Sequence, residues 1–474
     1  MALLSDEQGQ FALFLLSILT GERKRLLDLH RPLWDVHWSP NGKWIAVEAE
    51  MEASDRGIFI IEVESGHSRQ IKTDSKRLNA QHPAWSPDSS FLAFSAESGE
   101  WFDIGMCEAE KGTVTWLTQG PGDDTSPSWS RDGKRLSWVH AEGATNSLCI
   151  FEQQVTHYWV GAGVHYQPQF TPEGAIVFLF ESPQQPPDLW KLDPEGRFEQ
   201  LTTSLPEELR EKPFPSPEEI TYEIDGVCVP ALLFRGKRER AVINIHGGPN
   251  WHIQCLWDPF AAHMASRGWT VLAPNYRGST GYGRTWQIAS RFDMGGVDTR
   301  DCAAGIDYLK REGLGTMFAV TGRSHGGYLT MTCLTRFPEL WRGGSAVVPF
   351  MNWFKSHTES REDLQHWNIE NMGDPDENHE RWYNASPYFF LDRVQASIQL
   401  ICGAHDPRCP ASESLDARDK LIELGRDVEL LLYEEEGHVF LNIENVIDAE
   451  VKRVAFLARI LDEQSMREES VWTD

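Results

Sequence analysis

The sequence has no apolar run long enough to cross a membrane. The stretch most similar to one, Phe11–Leu19, is far shorter than the roughly 20 residues that a membrane helix needs. Asp6 and Glu7 precede it, where a secretory leader would carry basic residues. We therefore expect a strand and then a turn in this stretch, and no membrane partner.

Positive charge is also scarce. The 474 residues include 44 Lys and Arg against 71 Asp and Glu, which gives a formal net charge of -27. Nucleic acids and anionic membrane surfaces are negatively charged and would repel such a chain. The composition therefore excludes nucleic acid as a partner, although it selects no substrate.

Cysteine pairs with the spacing of a disulfide framework or a metal site are missing. None of the eight cysteines forms a CxxC pair, and several lie in apolar runs. Buried, reduced thiols are typical of cytoplasmic proteins. We predict a cytoplasmic protein without a metal site, in which Cys409 could be partly exposed because it lies near Asp406.

A repeated turn organises the first 200 residues. An aromatic residue followed by Ser or Thr, then a Pro, Asp or Gly cluster, recurs roughly every 40 to 45 residues, the usual length of a β-propeller blade. The four copies are Trp38–Gly42, Trp85–Ser89, Trp129–Gly133 and Phe170–Gly174. Each copy lies between two short apolar runs, which predicts four full blades. Before them, Phe11–Leu27 has the character of only the two outer strands of another blade.

The repeat ends near Leu201, and a linker rich in Pro and Glu follows. From Ile220 onward, longer apolar strands alternate with helical segments, which is typical of a mostly parallel sheet. We predict a truncated, all-β propeller of about four to five blades, of the TolB or WD40 type, over residues 1–212. Residues 213–474 are predicted to form a doubly wound α/β domain.

The segment Val320–Tyr328 contains the pattern Gly-x-Ser-x-Gly directly after a short apolar run. In a nucleophile elbow, a strand turns sharply into a helix, and glycines on both sides of the serine let neighbouring backbones approach. Ser324 would then be exposed at the end of the strand. The pattern alone also occurs in flexible turns, so its value depends on the residues that accompany it.

A serine nucleophile needs a histidine base and a carboxylate that orients the imidazole. Downstream, Asp406 follows the apolar run Ile398–Cys402, and His438 follows the next run, Val428–Tyr433. The order Ser, Asp, His is that of α/β-hydrolases, in which these groups collect at the carboxyl ends of the strands. The sequence therefore predicts a catalytic triad and the α/β-hydrolase fold for the second domain.

An oxyanion hole requires backbone N–H groups near the attacked carbonyl. The loop His246–Pro249 follows the run Ala241–Ile243, and its glycines allow close approach of a substrate. We assign one donor to the amide of Gly247 or Gly248 and the other to the amide of His325. The side chain of His325 is expected to point away from Ser324.

These motifs together resemble the prolyl oligopeptidase family of serine peptidases, in its acylaminoacyl-peptidase and dipeptidyl-aminopeptidase-like branch. The resemblance covers nearly the whole chain. It implies that Ser324, Asp406 and His438 cleave amide bonds of short peptides or acyl-amino acids through an acyl-enzyme, without cofactor or metal. It also implies a propeller that restricts entry to short substrates.

The chain departs from this family in two ways. It has fewer blades than the usual seven or so, and the stretch Pro349–His357 lacks the tyrosine pair of proline-selective members. Phe350 and Trp353 remain candidates for an apolar substrate pocket, and Arg408 is a further candidate for substrate binding. Because a short propeller leaves strand edges to be covered, we also expect a homo-oligomer.

Two other functions remain compatible with the sequence. The same triad could serve an esterase or lactonase, or a biosynthetic acyltransferase acting on a small molecule. A propeller scaffold with an inert hydrolase domain is less consistent, because no catalytic position is missing.

Overall fold

The computed structural model describes residues 1–5, 12–29, 31–51, 55–73, 76–237, 239–360 and 362–469. The chain divides into two compact units. The first comprises Met1–Lys212 with the short segments Cys255–Trp257 and Gly281–Arg284, and the second comprises the remaining residues.

The first unit consists of small antiparallel sheets. A three-stranded sheet contains β1 (Ala2–Ser5), β2 (Ala12–Leu16) and β3 (Arg23–Leu27). Four four-stranded sheets follow along the chain. The first contains β4 (Leu33–Trp38), β5 (Trp44–Glu50), β6 (Arg56–Glu62) and β7 (Ser68–Gln70), and the second contains β10 (Ala80–Trp85), β11 (Phe91–Glu97), β12 (Phe102–Glu108) and β13 (Val114–Trp116). The third contains β14 (Asp123–Trp129), β15 (Leu136–Glu142), β16 (Thr145–Phe151) and β17 (Val155–Tyr158), and the fourth contains β18 (Val164–Phe170), β19 (Ile176–Ser182), β20 (Gln185–Leu192) and β21 (Phe198–Gln200). A two-stranded ribbon, β8 (Lys72–Thr73) and β9 (Lys76–Arg77), joins the first two of these blades.

The leading sheet is larger than the sequence predicted. Strands β2 and β3 occupy the region expected to supply two outer strands, although Phe11 lies outside the described residues. A third strand, β1, pairs with β2 in antiparallel register from Ala2 opposite Leu15 to Ser5 opposite Ala12. The four residues of β1 precede no aromatic–Ser–Pro turn, so the repeat pattern could not reveal this strand.

Three of the four copies of the repeated turn use one serine in the same way, and the fourth copy has Thr171 at this position. The Ser86 hydroxyl donates to Asp88 Oδ1 (2.6 Å) and accepts a hydrogen bond from the Phe91 N–H (2.9 Å), which closes the turn between β10 and β11. The equivalent hydroxyls of Ser39 and Ser130 make the same two kinds of contact in their own blades. A buried backbone N–H left without an acceptor is costly, so the motif recurs wherever this hairpin recurs.

Two of the three tryptophans of the repeat connect successive blades. The indole Nε1 of Trp85 donates to the His37 carbonyl oxygen at 3.0 Å, and that of Trp129 donates to the Ala84 carbonyl oxygen at 3.2 Å. Each donor lies in the first strand of its blade, and each acceptor lies in the first strand of the preceding blade. The aromatic position is therefore specified by its contact with the preceding blade as well as by the turn.

The second unit contains one eight-stranded mixed sheet. Its strands are β22 (Glu218–Ile224), β23 (Val227–Phe234), β24 (Arg240–Ile245), β25 (Thr270–Pro274), β26 (Met317–Arg323), β27 (Gly343–Val347), β28 (Ser397–Gly403) and β29 (Val428–Tyr433). Their spatial order is β22-β23-β25-β24-β26-β27-β28-β29. The strands from β25 to β29 are parallel, whereas β22 and β23 are antiparallel to their neighbours.

Helices cover both faces of this sheet. The helices of the chain are α1 (Glu207–Arg210), α2 (Pro259–Ser266), α3 (Arg284–Gln287), α4 (Val297–Arg311), α5 (His325–Arg336), α6 (Trp353–Glu359), α7 (Glu362–Met372), α8 (His379–Ala385), α9 (Ala411–Glu423) and α10 (Ile443–Glu469). The adjacent residues Gly343 and Gly344 of β27 show the two faces, because a Cβ on the first would meet Ile460 of α10 and a Cβ on the second would meet Leu334 of α5. The doubly wound α/β prediction is confirmed.

All eight cysteines are free, and all except Cys228 are buried. Cys409 is only 5% exposed, so the sequence expectation of partial exposure is wrong for this residue. Among the described residues, no helix is sufficiently long and apolar to span a bilayer.

We predict that Ser86→Ala destabilises the propeller by about 1–3 kcal/mol, because the Phe91 N–H and Asp88 each lose a partner in a partly buried turn. The measurement is the shift of the thermal unfolding transition by calorimetry. Ser90→Ala is the matched control, because the Ser90 hydroxyl also donates to Asp88 but does so at the surface. Equal shifts for the two variants would contradict this explanation of the repeat.

Candidate active site

Ser324 occupies a sharp turn between β26 and α5. Its backbone has φ 58° and ψ -120°, a conformation that non-glycine residues rarely adopt. The Ser324 N–H donates to the Val347 carbonyl oxygen (2.9 Å), and the Ser324 carbonyl accepts from the Tyr328 N–H (2.9 Å). The turn is therefore held on both sides, by the neighbouring strand β27 and by the first turn of α5.

The glycines beside Ser324 are required by close backbone contacts. A Cβ on Gly326 would lie 2.1 Å from the Ile245 carbonyl oxygen, and a Cβ on Gly322 would lie 2.5 Å from the Gly326 backbone. No side chain fits at such distances. The glycines thus bring the end of β24, which leads into the loop His246–Pro249, directly against the serine turn.

A hydrogen-bonded chain joins the three predicted triad residues. His438 Nε2 lies 3.0 Å from Ser324 Oγ, and His438 Nδ1 lies 2.8 Å from Asp406 Oδ2. An ionised carboxylate can only accept, so the proton is on Nδ1 and the lone pair of Nε2 faces the serine hydroxyl. This is the protonation state in which an imidazole can remove the serine proton.

Asp406 and His438 are each fixed by neighbouring groups. The second oxygen of Asp406, Oδ1, accepts the N–H groups of Arg408 (2.8 Å) and Cys409 (2.9 Å). The Arg323 guanidinium donates to the His438 carbonyl oxygen (2.6 Å). These contacts orient the carboxylate and the imidazole before any substrate is bound.

Glu436 stabilises the loop that carries His438, and its carboxylate bonds to backbone N–H groups of that loop rather than to the imidazole. Its carboxylate accepts the N–H groups of Leu441 (2.7 Å) and Asn442 (3.1 Å), and it is buried. The neighbouring Glu434 and Glu435 are exposed. Of the carboxylates in this region, Asp406 is therefore the one that contacts His438 Nδ1.

The two groups predicted to form an oxyanion hole lie beside Ser324. His325 is the first residue of α5, where helix N–H groups have no intrahelical acceptor. Gly248 lines the same cavity as Ser324 and His325, whereas a Cβ on Gly247 would lie 2.9 Å from the Arg323 carbonyl oxygen. The preceding loop is thus in contact with the backbone of the serine turn.

The His246 ring anchors that loop. It stacks on Tyr276 with ring centroids 4.4 Å apart, and its Nε2 lies 2.9 Å from Ser279 Oγ. Burial lowers the pKa of His246 to about 3, so the ring is neutral at physiological pH. His246 therefore supports the loop through packing and hydrogen bonding, without a charge.

A cavity of about 230 Å³ opens beside the serine. It is lined by Gly248, Pro249, Asn250, Ser324, His325, Phe350, Ser356, Ser360, Leu364, Trp367, Asn368, Arg408 and Cys409. Two of the three predicted substrate contacts, Phe350 and Arg408, belong to this lining. The third, Trp353, is 1% exposed and packs edge-on against Phe350 with centroids 5.0 Å apart, so it lies behind the cavity wall.

Several lining residues were not singled out in the sequence. Leu364, Trp367 and Asn368 all lie on α7, and the segment that contains α7 carries no motif. His325 also lines the cavity, and its side chain is buried, with Nε2 3.5 Å from Asp298 Oδ2. The hydrogen bonds of the site pair Ser324 with His438, so His325 is not the base in this geometry.

Burial raises the pKa of the Cys409 thiol well above its ordinary value. A protonated thiol is a poor nucleophile, so burial disfavours attack on a substrate by this sulfur.

Glu413 is a buried carboxyl that the sequence did not reveal as part of the site. Its Oε2 accepts the N–H groups of Met351 (2.6 Å) and Asn352 (2.7 Å), which follow Phe350 in the cavity wall. Burial raises the pKa of Glu413 to about 8, although the two backbone N–H groups act in the opposite direction. A single Glu in an otherwise ordinary helix start gives no signal that its carboxyl supports a distant loop.

Two family models match the chain. The prolyl oligopeptidase family (Peptidase_S9) matches residues 258–464, and the TolB beta propeller domain matches residues 1–219.

Full-length comparisons give relatives of the same kind. The uncharacterized peptidase YuxL of Bacillus subtilis is 24% identical, over 92% of this chain and 84% of its own length. Dipeptidyl-peptidase 5 of Porphyromonas gingivalis is 22% identical, over 87% of this chain and 65% of its own.

Among solved structures, a puromycin-hydrolyzing peptidase of Mycobacterium tuberculosis is similar with a TM-score of 0.86 and 22% identity, over 94% of this chain and 72% of its own. The two family models, their order along the chain and the fold of the similar solved structure are consistent with one another. The chain is similar to the prolyl oligopeptidase family over residues 258–464 and is a serine peptidase with a β-propeller before its α/β-hydrolase domain.

Proposed function

We propose that Ser324, His438 and Asp406 hydrolyse the amide bond of short peptides or acyl-amino acids through an acyl-enzyme. The observation that supports this most directly is the chain of hydrogen bonds from Asp406 Oδ2 through the imidazole to Ser324 Oγ, at 2.8 and 3.0 Å. Both distances are within the range required for proton transfer by a positioned base.

In the acylation step, Ser324 Oγ attacks the substrate carbonyl carbon while His438 Nε2 takes the hydroxyl proton. Asp406 stabilises the imidazolium that forms, and His438 then gives the proton to the leaving amine. Water then attacks the carbonyl carbon of the resulting ester while His438 Nε2 takes a proton from the water. The proton passes to Ser324 Oγ as the ester bond breaks, which releases the acid and restores the serine.

The charge that develops on the attacked oxygen would be stabilised by the amide of His325 and by that of Gly247 or Gly248. Removal of one such donor from an oxyanion hole typically costs about 10²- to 10³-fold in kcat. The close backbone contacts at Gly322 and Gly326 support the assignment, because they hold the donor loop and the serine turn together.

The cavity indicates which part of the substrate is recognised. A volume of about 230 Å³ is smaller than a pocket for a whole drug-sized ligand, which is roughly 300–1,000 Å³, so it fits a single side chain. Phe350, Trp367 and Leu364 make one part apolar, and the exposed Arg408 lies on its rim. We propose an apolar residue on the acyl side of the scissile bond.

A panel of matched aminoacyl p-nitroanilides and p-nitrophenyl esters tests this substrate class. The proposal expects turnover of anilides with an apolar side chain. Turnover of the esters alone would favour the esterase or lactonase function, and transfer to an added amine would favour an acyltransferase.

Glu413 is proposed as a positioning residue for the cavity wall. It does not touch the reacting atoms, but its hydrogen bonds hold the backbone that follows Phe350. Lys355 lowers the pKa of this carboxyl and Glu359 raises it, yet burial outweighs both. The neutral acid therefore persists up to about pH 8, which avoids a buried charge under the wall.

A cytoplasmic location is supported by the thiols, because eight free cysteines, seven of them buried, are usual in a reducing compartment. Fractionation of the native cells would test it, and recovery of the protein in an oxidising compartment would refute it.

A homo-oligomer is supported by an exposed apolar stripe on α10. Ile443, Ile447 and Val451 are four residues apart, and they are 65%, 56% and 61% exposed. Side chains at this spacing share one face of a helix, and such a face on a second copy could cover it.

We predict that Ser324→Ala lowers kcat by about 10⁴- to 10⁶-fold without a change in thermal stability, since only the nucleophile is lost. Steady-state hydrolysis of the best anilide measures this, and a fluorophosphonate probe should label wild type but not the variant. Ser266→Ala, at an exposed serine, is the control. More than a few per cent of residual activity would rule out Ser324 as the nucleophile.

We predict that Glu413→Gln removes a pH dependence of stability. The pKa of Glu413 is about 8 in the folded protein and 4.5 ordinarily. At a pH between these two values, the wild-type protein therefore releases this proton when it unfolds. The contribution of Glu413 is full below about pH 4.5 and is lost as pH rises through about 8. The Tm of wild type relative to the variant should therefore fall from pH 5 to pH 9. Parallel Tm profiles would contradict the role of burial.

We predict an oligomer that Ile447→Glu dissociates, because a charge would be buried in the proposed interface. Light scattering over a concentration series measures the mass of both proteins. A wild-type protein that is strictly monomeric at micromolar concentration would exclude the oligomer.

A further inference from the structure

A thiol lies beside the proposed triad and takes no part in its chemistry. Cys409 Sγ, a carboxylate oxygen of Asp406 and a ring nitrogen of His438 all lie within 4.8 Å of one another. Cys409 also lines the cavity that contains Ser324, so this residue borders the space that a small ion would enter. The mechanism explains why Asp406 and His438 are together, but it gives Cys409 no function.

The three groups have the chemistry of a metal site for a soft cation. Thiolate and imidazole are the ligands that Zn²⁺ prefers, and thiolate also selects related thiophilic cations. A metal-binding histidine usually donates its other ring N–H to a carboxylate, which fixes the ring. His438 already does this, because its Nδ1 lies 2.8 Å from Asp406 Oδ2.

The remaining contacts of Asp406 define its place in such a site. Its Oδ1 accepts the backbone N–H of Cys409 (2.9 Å), which ties the thiol residue to the carboxylate. Because Oδ1 and Oδ2 are both engaged, Asp406 would act behind the histidine, and the direct protein ligands of such a site would be Cys409 Sγ and the other ring nitrogen of His438, Nε2. Ser324 Oγ or water can fill the other positions of a tetrahedral ion.

We propose that Cys409 and His438 bind a thiophilic divalent cation, Zn²⁺ or Cd²⁺, which reversibly inhibits the enzyme. On binding, the Cys409 thiol gives its proton to solvent and a sulfur–metal bond forms. The His438 Nε2 lone pair leaves the Ser324 hydroxyl and coordinates the ion, so the base is lost. The inhibitory effect rests on the proposed function, whereas metal binding itself rests only on the geometry.

Two protein ligands make a weaker site than the four of a structural zinc centre. Binding should therefore be reversible by a chelator rather than permanent. The fold should not depend on the ion, because the triad and its loops are held by the hydrogen bonds described above.

The first experiment titrates ZnCl₂ against anilide hydrolysis by the full-length protein in a non-chelating buffer. We expect inhibition of wild type that EDTA reverses, and an inhibitory concentration at least about tenfold higher for Cys409→Val, which removes a direct ligand. Cys228→Ser removes the exposed thiol and should be inhibited like wild type. Equal inhibition of wild type and Cys409→Val, or no inhibition of wild type, would overturn the proposal.

A second measurement needs no activity. In the Ser324→Ala background, CdCl₂ should produce the ultraviolet charge-transfer band of a cadmium–thiolate bond, and adding Cys409→Val should remove it. The same band in both proteins would assign the ion to another cysteine. If Ser324→Ala remained active, the proposed function would fail, but the cadmium band would still decide the metal site.

Discussion

The carbonyl oxygen of Ile245 lies so close to position 326 that only a glycine can occupy that position. This contact sets the distance between β24 and the turn that carries Ser324, and therefore the distance between the loop His246–Pro249 and the proposed nucleophile. The turn itself is strained, at a typical cost of about 1–3 kcal/mol. The bonds from Ser324 to Val347 and Tyr328, together with the buried sheet below, hold it in place.

The proposed triad could be predicted from the sequence because its geometry follows from the order of the strands. In a parallel sheet, each carboxyl end lies at the same edge, so Ser324, Asp406 and His438 meet if the apolar runs before them are strands. The cavity could not be predicted equally well. Its wall includes α7, whose placement depends on packing around Trp353 and Trp367 rather than on any local pattern. Glu413 depends on a similarly distant contact.

The propeller also combines features that the sequence predicted with one that it did not. Its blades could be counted because three of the four turns use a serine of their own, Ser39, Ser86 or Ser130, to satisfy a backbone N–H of the same turn, and the fourth has Thr171 there. Such local bonding forces the residue types to recur. Strand β1 has no such turn, and its place is set only by pairing with β2, so the sequence pattern did not reveal it.

The tryptophan bonds between blades also bear on how such a chain changes length. Trp85 and Trp129 each bond to the blade before their own, so each of these blades brings its own link to its neighbour. A blade with this property is a transferable module, because its removal deletes the donor and the turn together. The loss or gain of such a blade would therefore change the propeller by one whole unit.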